Sequence, residues 1–138
     1  MITSVWYQPG TEPELALPVW ESVGFSAPIP SAVWTLVLLD DGAPVAAGCL
    51  SYISAGICGL VRLAVLPSVR GEGLGDALMK ALILKAEGIG MKEARVVCPK
   101  ETAGFFRTID FEEIGAAGSE QEMRRELGIG FKCHCANQ

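Results

Sequence analysis

Three glycines and one arginine, set between an apolar segment and a helix-forming segment, are the residues of this chain best suited to binding chemistry. Gly71, Gly73 and Gly75 let the backbone approach a ligand closely, and their amide N–H groups can point at phosphate oxygens. The N-terminus of the following helix adds partial positive charge. Arg70 supplies a permanent cation beside the glycines. The segment therefore predicts a site for a pyrophosphate or a similar anion.

The spacing of these glycines excludes two common phosphate-binding motifs. A dinucleotide fingerprint needs Gly-x-Gly-x-x-Gly, but Asp76 and Leu78 stand where the last glycine would fall when counted from Gly71 and Gly73. A Walker loop needs Gly-Lys-Ser/Thr, and the sequence contains no such run. The pattern that fits residues 70–75 is Arg-x-x-Gly-x-Gly. The alternative interpretation is a glycine-rich turn that only caps a helix.

Two stretches together resemble a known family. The run Leu63-Ala64-Val65-x-Pro67 followed by Arg-x-x-Gly-x-Gly resembles motif A of the GNAT acetyltransferase superfamily, whose loop binds the pyrophosphate of acetyl-CoA. Residues 103–111, Ala-Gly-Phe-Phe-Arg-Thr-Ile-Asp-Phe, are similar to motif B. With their flanking elements the two motifs cover residues 43–114. The resemblance implies an α/β fold of the GNAT acyl-CoA N-acyltransferase type, a mixed antiparallel and parallel twisted sheet flanked by helices, with acetyl-CoA as acetyl donor.

The resemblance also implies which residues contact the coenzyme. The positions that match are Leu63, Ala64, Val65, Arg70, Gly71, Gly73, Leu74, Gly75, Asp76, Phe105 and Phe106. The backbone N–H of Val65 is the implied donor to the thioester oxygen, on which negative charge develops when an amine attacks. Phe105 and Phe106 are expected to pack against the coenzyme arm and the helix rather than to do chemistry.

Two positions depart from the family pattern, and the usual base is missing. Phe106 stands where many members carry a tyrosine that protonates the departing thiolate, and a phenyl ring has no proton to donate. Asp110 replaces a glycine. Residues 58–62, the strand before motif A, contain no carboxylate that could act as base. Catalysis would then depend on holding amine and thioester together and on a water that relays the proton.

Four side chains are candidate substitutes for the missing base. Tyr52 and Glu101 are the predicted catalytic residues beside Val65, and His134 and Cys98 are further candidates. Each has a structural alternative: an aromatic on a strand for Tyr52, a charge favoured at a helix N-terminus for Glu101, a solvated side chain for His134 and a core thiol for Cys98.

The five cysteines favour packing over metal chemistry. Cys49, Cys58 and Cys98 lie in apolar segments and are expected to be buried free thiols. Cys133-His134-Cys135 could ligate a soft metal, but a closed zinc site needs four ligands and no second pair has suitable spacing. We therefore predict no metal, and the alternative for this tripeptide is a terminal strand with alternating side chains.

Composition limits the class of protein and its partners. A chain of 138 residues that is half apolar predicts one domain over residues 1–138. The net charge of −5 disfavours nucleic-acid binding. The sequence shows neither a membrane span nor a signal peptide, so a cytoplasmic protein is expected. Trp20, Phe25 and Ile29 suggest an apolar wall for a small amine or amino-acid acceptor, and a homodimer is left open.

Periodicity and turn residues predict strands and helices in an α/β order. The predicted strands are 2–7, 34–40, 45–53, 57–65, 94–98, 111–114 and 128–135, and the predicted helices are 12–23, 73–87 and 101–108. The polar residues 119–127 are expected to form a loop with some helical turn. Strands before the glycine loop should be antiparallel, and the crossover after it should give a parallel pair.

Two of the predicted helices carry more detailed expectations. In the first, Thr11 is an available cap, Pro18 either begins or kinks the helix, and Leu15, Val19 and Trp20 share one face. In the second, the apolar stripe consists of Leu74, Ala77, Leu78, Ala81 and Leu82, with Lys80 and Lys85 outside and Gly88 and Gly90 ending the helix.

Three functions remain open at the level of sequence. The first is an acetyl-CoA-dependent N-acetyltransferase acting on a small amine or amino acid. The second is a non-catalytic module that binds coenzyme A and senses it, because the usual acid and base are missing. The third is a thiol or metal protein that uses Cys133, His134 and Cys135.

Overall fold

A computed structural model describes residues 1–25 and 33–128 of the protein. The strands are β1 (Ile2–Tyr7), β2 (Trp34–Asp40), β3 (Ala43–Ser54), β4 (Ile57–Val65), β5 (Glu93–Pro99), β6 (Glu112–Ala117) and β7 (Glu120–Glu126). The helices are α1 (Leu17–Ser22), α2 (Leu74–Gly88) and α3 (Ala103–Thr108), with single 3-10 turns at Glu14–Ala16, Pro67–Val69 and Lys100–Thr102. Within these described ranges no helix combines the length and apolarity needed to cross a membrane.

The seven strands within the described residues form one mixed sheet in the order β1-β2-β3-β4-β5-β7-β6, which confirms the predicted fold class. The chain divides into two compact units. The first contains Met1–Ser51 and Leu60–Leu84, and the second contains Tyr52–Gly59 and the described residues from Lys85 onward. The assignment of residues 1–138 to one domain stays a prediction. The predicted strand 128–135 lies outside the described residues, apart from Gly128.

The first unit begins with antiparallel strands whose bounds follow the sequence pattern. β1 pairs with β2, and β2 pairs with β3. The tight turn between β2 and β3 has positive φ at both central residues, Asp41 (50°) and Gly42 (88°). A two-residue turn of this kind matches the right-handed twist of the strands that it joins, which is why Asp-Gly predicts a hairpin.

Helix α1 is shorter than predicted and packs against this part of the sheet. Pro18 lies in its first turn, where a missing N–H costs no hydrogen bond, so the proline begins the helix rather than kinking it. Val19 and Trp20 are buried as expected. The prediction for Leu15 is wrong, because its turn precedes the helix and leaves it 36% exposed. Thr11 is not a cap, because the 3-10 turn that precedes α1 begins at Glu14 and has Pro13 as its N-cap.

Helix α2 begins directly after the glycine loop and ends at Gly88, as predicted. Its buried side chains are Leu74, Leu78, Met79, Leu82, Ile83 and Ala86. The expected stripe is therefore correct at Leu74, Leu78 and Leu82 but wrong at Ala77, which is exposed. The buried face is shifted toward the larger side chains, because burying them removes more apolar surface from water than burying an alanine.

The second unit holds the parallel pair and two strands that follow it. Ile57, Cys58 and Gly59 of β4 pair in parallel with residues 93–95 of β5, which confirms the predicted crossover. Beyond β5, strands β6 and β7 are antiparallel, and β7 lies between β5 and β6. The prediction of a loop at 119–127 is wrong, because Glu120–Glu126 forms β7.

Charged side chains explain why β7 is a strand despite its polar sequence. Glu93 on β5 accepts from Arg95 at 2.6 Å and from Arg124 on β7 at 3.2 Å. Arg124 also reaches Glu112 on β6 at 2.5 Å and Glu126 at 3.5 Å. Opposite charges on neighbouring strands stabilise a sheet, and here they offset the repulsion between the facing Arg95 and Arg124.

Glu93 makes this cluster sensitive to acid. The hydrogen bond from Arg95, with help from Arg124, lowers the pKa of the Glu93 carboxyl. A lowered folded-state pKa means that the ionised carboxylate stabilises the fold above its unfolded pKa of about 4.3, and that this contribution is lost as the pH falls through the lower folded value. Glu93→Gln should therefore destabilise the protein at pH 7, and the difference from wild type should shrink toward about pH 3.

Urea unfolding of wild type and Glu93→Gln at both pH values measures this effect. Glu113→Gln is the matched control, because its ion pair with Arg107 (2.6 Å) is more exposed to solvent and should contribute less. A difference between wild type and Glu93→Gln that is the same at both pH values would contradict the expectation.

The three α-helices in the part of the chain that the structure describes end in the same backbone motif. The residue after each C-cap has positive φ, at Gly24 (87°), Gly90 (89°) and Asp110 (70°). The next residue donates its N–H back to a carbonyl five positions earlier: Phe25 to Trp20, Met91 to Ala86 and Phe111 to Phe106. This is the Schellman arrangement, which satisfies carbonyls at the helix end and brings an apolar residue back onto the last turns.

Asp110 is the non-glycine member of this set. A side chain at positive φ costs about 1–2 kcal/mol, although aspartate tolerates it better than most residues. Asp110 replaces the glycine of the motif B pattern, and its backbone still has the positive φ that glycine favours.

Asp110→Gly should consequently raise the free energy of unfolding. The gain is expected to be about 0.5–1 kcal/mol, since removing the strain outweighs the extra freedom of glycine in the unfolded chain. Chemical denaturation measures it, and Asp110→Ala, which keeps the strain, serves as control. A loss of stability in Asp110→Gly would show that the Asp110 side chain itself stabilises the helix end.

Candidate functional site

The segment between β4 and α2 forms a short loop with an open glycine face. β4 ends at Val65, and the next residue, Leu66, donates its N–H to the Val45 carbonyl at 2.9 Å. Gly71 (φ +88°) and Gly73 (φ +81°) then turn the chain into α2. A Cβ built on either glycine meets no atom within 4 Å. The side of the loop that these glycines face therefore has room for a ligand, as the sequence predicted.

The first turn of α2 supplies the amide groups of this site. Leu74 begins the helix, and the Ala77 N–H donates to the Gly73 carbonyl at 3.1 Å. The N–H groups that precede it, on Leu74, Gly75 and Asp76, have no partner further back in the helix and are suited to an anion. Gly75 lies within this turn and does not have a positive φ.

Side chains around the loop have structural contacts that limit their roles. Leu74 is buried, and Asp76 pairs with Lys80 at 2.8 Å along the helix surface. Ala64 belongs to the apolar core beside α1. Leu63 lies so close to Gly48 that a Cβ there would be 2.9 Å from its Cδ2. These four residues can therefore serve a coenzyme through their backbone more readily than through their side chains.

Arg70 is the cation of the loop. Its Nε–H donates to the Val65 carbonyl at 3.3 Å, and the residue is exposed. A guanidinium carries five N–H donors, so this bond leaves capacity for phosphate oxygens. The bond also ties the loop back to the end of β4, where the backbone N–H of Val65 is the expected oxyanion donor.

The remaining predicted site residues lie in the second unit. Phe106 is 6% exposed and packs edge-to-face against Phe105 (5.2 Å, 78°) and Phe111 (5.7 Å, 75°). Phe105 is 37% exposed. Tyr52 is exposed near the end of β3, and Glu101 is exposed in the turn before α3. Phe106 is therefore a packing residue, which agrees with its lack of a hydroxyl group that could donate a proton.

The described cysteines are core thiols. Cys49, Cys58 and Cys98 are buried and free. Burial raises the pKa of the Cys49 thiol, and it raises the pKa of Cys58 to about 11, so both remain protonated at neutral pH. Cys98 packs against the Met123 sulfur at 3.9 Å. Its burial removes it as a candidate base in contact with a substrate.

The candidate metal ligands of the C-terminus, Cys133, His134 and Cys135, lie outside the described residues, as does Ile29 of the expected acceptor wall. Within residues 1–25 and 33–128, no group of three or more His, Cys, Asp or Glu residues could hold a metal ion.

Arg62 was missed by the sequence analysis. It has a positive φ of 54°, and its guanidinium carbon lies 5.4 Å from the Trp20 ring centroid and 5.6 Å from that of Phe25. The Trp20 Nε1–H donates to the Arg62 carbonyl at 2.8 Å. The available signal was a single arginine in the otherwise apolar stretch predicted as strand 57–65.

Comparison with known proteins identifies the class and then the family. The sheet, the glycine loop and the following helix define an α/β protein with a loop suited to a pyrophosphate. A family model described as the acetyltransferase (GNAT) domain matches residues 31–113. The chain belongs to the GNAT acetyltransferase family; it is an acetyltransferase, and acetyl-CoA is its acetyl donor. The loop fits this donor, because its open glycines, helix amides and Arg70 suit a pyrophosphate.

Solved structures share the fold at low identity. A Lactobacillus plantarum protein described as an N-acetyltransferase has a TM-score of 0.77 at 16% identity, covering 91% of this chain and 98% of that one. The ribosomal-protein-S18-alanine N-acetyltransferase of Escherichia coli has a TM-score of 0.75 at 16% identity, covering 92% of this chain and 94% of that one. The N-acetylglutamate synthase of Neisseria gonorrhoeae, complexed with coenzyme A and N-acetyl-glutamate, has a TM-score of 0.71 at 19% identity, covering 91% of this chain and 35% of that one. The search of curated proteins gave no match.

Proposed function

We propose that this acetyltransferase transfers the acetyl group of acetyl-CoA directly to the amine of a small molecule or amino acid. The observation that carries the proposal is the open loop between β4 and α2, where two glycines of positive φ and a helix N-terminus lie beside Arg70. The loop would hold the pyrophosphate, which fixes the position of the thioester relative to β4. The Neisseria structure is named N-acetylglutamate synthase and is complexed with N-acetyl-glutamate, which is an acetylated amino acid.

In this proposal, a backbone N–H group stabilises the negative charge that develops during the reaction. Attack by the amine places negative charge on the thioester oxygen, and the Val65 N–H would donate to it. A preorganised donor of this kind is worth about 10²–10³ in rate. Since it belongs to the main chain, no side-chain departure from the family pattern removes it.

The proton of the attacking amine needs an acceptor. Tyr52 and Glu101 are both exposed, so each would act through a water rather than from a desolvated pocket. Phe106 is packed among aromatic rings and donates no proton to the leaving thiolate. Phe105 and Phe106 would instead pack beside the coenzyme arm.

A second function, a catalytically weak module that binds and senses coenzyme A, is favoured by that same packing of Phe106. Calorimetric titration with coenzyme A and measurement of thiol release from acetyl-CoA across an amine panel separate the two functions. Binding with rapid amine-dependent release supports the first function, and binding with little release for any amine supports the sensor. Glu101→Gln or Tyr52→Phe should lower release without weakening coenzyme binding if that residue receives the proton.

The free, buried thiols of Cys49, Cys58 and Cys98 support the further proposal of a cytoplasmic location, because reducing compartments keep thiols unpaired.

A further inference from the structure

Arg62 lies close to two aromatic rings in the first unit. Its guanidinium carbon lies 5.4 Å from the Trp20 ring centroid and 5.6 Å from that of Phe25, distances at which a cation is attracted to a ring. Trp20 is buried, Arg62 is half-buried and Phe25 is 38% exposed. The three side chains therefore form a cluster, the Arg62 cluster, that extends from the core to the surface.

The backbone fixes both rings of the Arg62 cluster. The Schellman end of α1, with Gly24 at φ +87° and the Phe25 N–H bonded to the Trp20 carbonyl at 2.9 Å, brings Phe25 back beside Trp20. The Trp20 indole is in turn bonded to the Arg62 carbonyl at 2.8 Å. The cluster is thus preorganised, and preorganisation lowers the cost of binding a ligand.

Arg62 occupies a backbone conformation that its side chain disfavours. Positive φ costs a long side chain about 1–2 kcal/mol, and glycine would avoid this cost. Such outliers occur preferentially at functional sites, where the surrounding structure holds them. The conformation therefore points to a use for the guanidinium that a glycine could not fulfil.

The chemistry of this arrangement suits a carboxylate. A guanidinium directs its N–H donors within its own plane, so one that lies over an aromatic ring can still donate two parallel hydrogen bonds to a carboxylate oxygen pair. Arg62 also lies on the same strand as Val65, three residues earlier, which corresponds to about 10 Å along β4. An acceptor bound at Arg62 by a carboxylate would be within a small molecule's reach of the expected oxyanion donor.

We propose that the Arg62 cluster binds the carboxylate of the acceptor, so that the acceptors of this enzyme are amino acids rather than uncharged amines. The inference rests on the proposed function, since it names the substrate class of the same reaction. Trp20 and Phe25 hold the guanidinium in place, and Arg62 determines specificity by direct contact with the acceptor.

The test compares L-amino acids with their α-carboxamides as acceptors, because the carboxamide lacks the charged group that Arg62 is proposed to bind; rates are compared at equal concentration of the free amine. With saturating acetyl-CoA, wild type should show kcat/KM at least tenfold higher for the acids. Arg62→Met should remove most of this preference, because KM should rise much more for the acids than for the carboxamides. Arg62→Lys, which keeps the charge but loses the planar fork, should retain part of it.

Binding measurements keep this inference separate from the proposed function. Calorimetric titration of coenzyme A-loaded protein with an amino acid and its carboxamide tests the preference even if no acceptor is acetylated. Coenzyme A affinity and the thermal midpoint of Arg62→Met report whether the fold is intact. Equal affinity of wild type for acids and amides, or an equal loss of both in Arg62→Met with the fold intact, would overturn the proposal.

Discussion

Gly73→Glu is expected to weaken coenzyme A binding at least tenfold, which is about 1.4 kcal/mol. The new carboxylate would project from the open face of the loop toward the proposed pyrophosphate, where like charges repel by several kcal/mol before screening. The φ of +81° at Gly73 adds strain for any side chain. Calorimetric titration with coenzyme A measures the loss.

Two control variants isolate the role of the site. Gly10→Glu introduces the same charge at another open glycine of positive φ (91°), outside the loop, and should leave coenzyme affinity unchanged. Gly73→Ala introduces strain without charge and should give an intermediate loss. If Gly73→Glu bound coenzyme A as tightly as wild type, the pyrophosphate would have to bind elsewhere.

Phe106→Ala should lower the free energy of unfolding by about 3–5 kcal/mol, a large part of the stability of a domain of this size. The ring is 6% exposed and contacts Phe105 and Phe111 edge-to-face, so its removal leaves a cavity and ends two aromatic contacts. The Phe111 contact also belongs to the Schellman end of α3. Urea denaturation measures the effect.

Phe105→Ala is the matched control, because the neighbouring ring is 37% exposed and buries less apolar surface. Its loss of stability should be less than half that of Phe106→Ala. Similar losses in the two variants would show that Phe106 is not the core ring of this helix. In that case its position could again be considered for contact with the thioester.

Local sequence patterns predicted most of the first unit and failed where stability comes from distant partners. The strand bounds 2–7, 34–40 and 57–65 agree with the structure, since β-branched residues and turn signals mark them. β7 was missed because Met123 is its only buried apolar residue. Its strand form depends on ion pairs with Glu93 and Glu112, and no local window of sequence contains those partners.

The residues of the candidate site also divide into those that local sequence could predict and those that depend on tertiary structure. The loop from Arg70 to the start of α2 could be predicted, because glycine spacing alone determines where a backbone can cradle a phosphate. The Arg62 cluster could not, because it depends on a helix end that folds Phe25 back onto Trp20 and on an arginine at positive φ. The exposure of Tyr52 and Glu101 likewise follows from tertiary structure, so sequence could propose them as bases but not rank them.

The buried thiols of Cys49, Cys58 and Cys98 have a practical consequence. A chromogenic disulfide reagent added to the native enzyme should react promptly with liberated coenzyme A, while these three sulfur atoms should react only when the surrounding structure opens. With Cys133 and Cys135 replaced by serine, a single reagent would therefore report turnover in its fast phase and the opening of the core in its slow phase.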